Sequence, residues 1–142
     1  MVTKTKSKDL YCPKGMLAAR LLLALIFVSS LIGKLTQFSY QASWAESSWL
    51  IAYIAIPGSF LIIIAILMEL TGVVALISGW KMREGAIVLM AYTALATIMF
   101  HLPWMASPEM VQNETIALLK NLGLIGGLIA LSMLPPGKFS IK

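Results

Sequence analysis

Charge is what this chain has least of. Charged residues make up 12% of its 142 positions and hydrophobic residues 59%, where a soluble globular chain carries about 25% charged. A water-soluble domain is therefore excluded, and the composition is that of an integral membrane protein. Cys12 is the single cysteine, which excludes an internal disulfide, a CxxC redox pair and a thiolate metal cluster. Thiol chemistry would need a partner protein. His101 is the single histidine, so a bis-histidine haem is excluded and one imidazole is too few for a zinc site. No metal is expected. The net charge of +5 does not indicate nucleic acid, because the basic residues flank apolar runs instead of forming a patch.

What is present is four apolar runs, at about 16–35, 57–79, 86–102 and 116–134, each close to the length that spans a bilayer. A polar tail, 1–15, precedes them with Lys4, Lys6, Lys8 and Lys14. It resembles the start of a signal peptide, but no small-x-small cleavage site follows, so the first run is expected to be a retained helix. The connector 36–56 holds Phe38, Tyr40, Trp44, Trp49 and Tyr53, residue types that settle at a membrane interface. A short helix over about 40–53, lying along the outer surface, is expected there; the alternative is a cap over the mouth of a cavity. Lys4, Lys6, Lys8, Lys14, Arg20, Lys81, Arg83, Lys138 and Lys142 fall on one side of the four runs, and only Lys34 and Lys120 toward the other. The positive-inside rule then gives an all-α integral membrane fold, an antiparallel four-transmembrane-helix bundle with both termini cytoplasmic. Residues 139–142 form a second cytoplasmic tail.

Inside the runs sit a few polar groups. Glu69 is the one acid near the middle of an apolar run, and Gly58, Ala65, Gly72 and Gly79 recur along it at heptad spacing. An ionised acid at bilayer depth is unfavourable by roughly 3 kcal/mol, so Glu69 needs a partner, water or a task. Arg20 is its candidate partner from the cytoplasmic side and Lys120 from the outer side; the residues do not choose between them. Arg20 alternatively snorkels to the head groups. Lys34 shares a helical face with Ser30, His101 with Thr97, and Lys120 with Gly123 and Gly127. Small residues let helices approach in lipid, and those faces carry the groups that most need shelter. The expected result is a polar pocket opening outward, with Lys34, His101 and Lys120 at its rim and Glu69 as its deeper floor. Such a pocket suits an anion or a quinone carbonyl, and Glu69 or His101 could carry protons. The plainer alternative is that the charges only fix helix register. The nine methionines are gap-fillers of apolar helices.

The order and spacing of several pieces resemble the DoxX family of small bacterial membrane proteins. They are Arg20 to Phe27, then Ile32-Gly33-Lys34-Leu35, then Met68-Glu69-Leu70-Thr71-Gly72. Phe100-His101, Trp104, Leu119-Lys120-Asn121-Leu122, Gly126-Gly127 and Pro136-Gly137 follow. The resemblance covers about 16–138 and departs from the family in its long aromatic connector and in Pro135-Pro136. It implies a multi-pass protein of the bacterial inner membrane, associated with thiosulfate:quinone oxidoreductase subunits and membrane redox complexes. It also implies redox protein partners and candidate functional positions at Arg20, Lys34, Glu69, His101, Lys120 and Asn121. A quinone is the cofactor it suggests. A subunit of an oxidoreductase fits better than a self-sufficient enzyme. A solute or proton-coupled transporter and a non-catalytic scaffold are the alternatives, and a homo-oligomer is a possible assembly.

Overall fold

The structure is a computed structural model that describes residues 12–141; the expected tail lysines Lys4, Lys6, Lys8 and Lys142 lie outside them. The described residues form six α-helices and one 3-10 turn. They are α1 Pro13–Thr36, α2 Phe38–Glu46, α3 Trp49–Ile54, α4 Gly58–Ser78, α5 Met82–Phe100 and α6 Val111–Ser132, with the 3-10 turn at Pro103–Met105. Four helices, α1, α4, α5 and α6, are long and apolar enough to cross a membrane. No strand occurs among the described residues.

The helix ends follow local chemistry. Pro13 opens α1, where its missing N–H would have had no partner anyway. α4 stops at Gly79, which adopts a left-handed φ of 76° that a side chain would oppose. Lys81, at φ 49°, completes a turn so short that α5 starts at Met82 instead of at 86. α6 starts at Val111 instead of 116 and so takes Glu114 into its first turn, where an acid faces the positive end of the helix dipole. Pro135-Pro136 follows its last turn and cannot extend it.

α4 is the hub, packed against α1, α2 and α5, while α5 also packs against α6. α1 and α6 meet far more sparsely. Phe27, Leu76, Leu89, Leu128 and Leu131 form the main apolar core. Gly72 and Gly85 make the α4–α5 approach: a Cβ on Gly72 would overlap the Leu89 side chain, and one on Gly85 would overlap Ala75. Large apolar side chains such as Leu22, Leu25, Leu67 and Leu122 point outward, as a helix bundle in lipid requires.

The connector is two helices, and α2 belongs to the bundle wall. Ala42 and Ala45 pack on Ile62 of α4, and Glu46 accepts a hydrogen bond from the Gly58 N–H at 2.9 Å, capping α4. The Trp44 ring stacks on Phe100 with centroids 4.2 Å apart. Ser48 and Trp49 donate to the carbonyls of Met99 and Ile98 at the end of α5, at 3.1 and 3.3 Å.

Candidate functional site

Glu69 is fully buried on α4, and its partner is neither Arg20 nor Lys120. It is Lys34, whose Nζ donates to both carboxylate oxygens at 3.1 Å. The same ammonium donates to Ser30 Oγ, one turn earlier on α1, at 2.6 Å. It also lies 5.3 Å from the centre of the Tyr92 ring on α5, within range of cation–π attraction. The Tyr92 hydroxyl adjoins Glu69 and Ser30. The depth difference expected between Lys34 and Glu69 counts only the rise of the backbone. Side chains on a helix lean toward its own N-terminus. The start of α1 meets the end of α4 through Arg20, and its last turns meet the middle of α4 through Lys34. The two side chains therefore lean toward each other, and the flexible four-carbon stem of lysine closes the gap.

Arg20 does not snorkel. Its side chain is wholly buried and its planar fork is spent on backbone. Nε donates to the Leu76 carbonyl and Nη2 to that of Ile77, both at 2.7 Å. Nη1 donates to the carbonyls of Pro136 and Phe139, both at 2.9 Å. The first pair are C-terminal carbonyls of α4 that no longer have an intrahelical partner, where a cation is favoured. The second pair fastens the segment after α6 beneath the bundle, beside a bond from the Ile141 N–H to the Ser78 carbonyl at 2.9 Å. Arg20 thus clamps the end of α4 to the segment after α6 and pairs with no carboxylate among the described residues.

Asn121 on α6 donates through Nδ2 to Thr97 Oγ1 at 2.9 Å. Thr97 in turn donates to the Thr93 carbonyl at 2.6 Å, and Thr93 to the Leu89 carbonyl at 2.7 Å. His101, just beyond α5, places Nδ1 2.7 Å from Glu114 Oε2. A carboxylate oxygen can only accept there, so the shared hydrogen sits on Nδ1. Lys120 is exposed and has no ion-pair partner among the described residues. On the same helix, a Cβ at Gly123 would meet nothing within 4 Å.

These groups surround two cavities. The larger, about 510 Å³, is framed by α1, α5 and α6, where α1 and α6 stand apart; Glu69, Tyr92, Thr93, His101, Lys120 and Asn121 line it. The smaller, about 280 Å³, lies beneath α2, with Lys34 and His101 among apolar neighbours such as Trp44, Met68 and Phe100. Ser30, Tyr92, Ala96 and His101 border both. The rim and floor expected of one pocket are thus divided. Glu69, His101, Lys120 and Asn121 share the larger cavity, Lys34 faces the smaller one, and Arg20 touches neither. Tyr92 and Glu114 were not singled out by the sequence. A phenol within an apolar run was the only sign of the first. The second precedes the apolar run of α6, whose hydropathy starts only at about 116.

Comparison with known proteins adds to this geometry. The family model described as DoxX matches residues 15–102. The chain is 28% identical over 127 residues to the inner membrane protein YqjF of Escherichia coli K12, covering 89% of this chain and 88% of that protein. No solved structure matches the chain.

Proposed function

The chain belongs to the DoxX family, and from that premise we propose that it is a membrane component of a redox system whose larger cavity holds a small anion or a quinone carbonyl. It is a multi-pass inner-membrane protein, as its four apolar helices and its similarity to an inner membrane protein indicate. In the proposed arrangement the four long helices run antiparallel with both termini in the cytoplasm, and the cavity opens outward. The lone Cys12 leaves any thiol step to a partner protein.

One observation carries this reading: Lys120 is a cation without an ionic partner among the described residues, beside a polar cavity of about 510 Å³. Lys34 cannot play that part, since Glu69 neutralises it. A lone ammonium against hydrocarbon is unfavourable, and an anionic or carbonyl ligand relieves that with a charge-assisted hydrogen bond. His101 and Asn121 add polar contacts from the cavity wall. The purified protein should retain a quinone or bind thiosulfate, with binding weakened about tenfold or more by Lys120→Met. Absence of binding by both ligands would reject the reading.

A transporter needs a polar path through the whole bundle. Leu76, Leu89 and Leu128 are fully buried across its inner half and favour a closed-ended cavity. The scaffold alternative has one observation behind it, the open space around Gly123 and Gly126, which would admit a partner helix. Loss of a co-purifying partner on Gly123→Leu would support it.

A further inference from the structure

The threonine relay fixes which end of the Asn121 amide faces the larger cavity. The Thr97 hydroxyl has one hydrogen, and that hydrogen is donated to the Thr93 carbonyl at 2.6 Å. Toward Asn121 the Thr97 oxygen can therefore only accept, so the amide must present its NH2 group there. Asn121 Oδ1 is left on the other side. Among the described residues it accepts no hydrogen bond, and none of their buried side-chain oxygens is left without a partner. Oδ1 is thus within reach of whatever fills the cavity that Asn121 lines. A carbonyl oxygen facing an anion repels it unless a hydrogen lies between them.

Resting on the reading of this cavity as an anion site, we infer that Asn121 selects, among anions, those carrying an O–H or S–H donor next to the charged group, of the hydroxy- or thiol-carboxylate class. Lys120 takes the carboxylate and Asn121 Oδ1 accepts the neighbouring hydrogen. The pairing uses the two adjacent residues of α6 that line the cavity. Thr97 is a positioning residue, since it acts through the amide. His101, held through Nδ1 to Glu114, lies on the same wall.

The test is calorimetric titration of the detergent-purified full chain with matched acids, glycolate against acetate and lactate against propionate. The hydroxy acids should bind about tenfold more tightly, the worth of one hydrogen bond to a site that would otherwise leave its acceptor unpaired. Asn121→Leu should bring the preference to about one. So should Thr97→Val, which lets the amide turn, while Thr97→Ser keeps it; all three should still bind acetate in a manner lost on Lys120→Met. Equal binding of the matched acids by the unmodified chain, with Lys120 still required, would overturn the inference and leave the anion site standing. A preference that survives both Thr97→Val and Asn121→Leu would also overturn it. No binding of either acid or of thiosulfate would remove the anion site itself.

Discussion

Lys34 and Glu69 illustrate what a single buried residue demands. Each alone in a helix would be an unpaired charge; together they form one compensated group with Ser30 and Tyr92 around it. Removing one partner leaves the other uncompensated, at about 3–5 kcal/mol, whereas replacing both with apolar side chains is often nearly neutral. Lys34→Met and Glu69→Leu should therefore each lower the thermal midpoint in detergent sharply, and the double variant should recover most of the loss. Equal and additive losses would show that the pair contributes nothing jointly. Arg20 makes a second prediction at this scale. Arg20→Lys offers one ammonium where four carbonyls now share a planar fork. The segment around Phe139 should then become susceptible to limited proteolysis, with little change in ligand binding.

Between helices, the glycines separate into those that touch and those that do not. Gly72 and Gly85 lie where α4 and α5 meet, and any Cβ there strikes Leu89 or Ala75. Gly72→Ala and Gly85→Ala should each destabilise by about 1–3 kcal/mol through overpacking, read by denaturant titration in micelles. Gly123→Ala meets nothing within 4 Å and should be close to neutral. The heptad of small residues on α4 was visible in the sequence, but a periodic pattern does not say what each member faces. Gly58 approaches α2, Gly72 approaches α5, and Gly79 lies beside Arg20 and Ser140. The connector shows the same limit. Its aromatics announced an interface, yet Trp44 finds its stacking partner in Phe100, far along the chain.

For the molecule as a whole, the proposed orientation rests on the charge asymmetry across the four apolar runs. Cys12 is exposed at the start of α1 and is the only thiol. With the termini cytoplasmic, a membrane-impermeant maleimide should label Cys12 in inverted vesicles and not in intact spheroplasts. Labelling from outside would reverse the assignment and put the Lys120 cavity on the cytoplasmic side. The cavity itself exists because α1 and α6 do not close against each other as α4 and α5 do.

Composition and periodicity by themselves determined that this is a helical membrane protein with four long apolar helices, and which polar residues are anomalous within them. Those are one-dimensional properties: hydropathy summed over a span, and spacing along a helix. Only the tertiary structure decided that Glu69 belongs with Lys34, that Arg20 ties the end of α4 to the segment after α6, and that Lys120 is left without an ionic partner among the described residues. Partner choice depends on helix direction, side-chain lean and the separation of α1 from α6, and none of these is encoded at any one position.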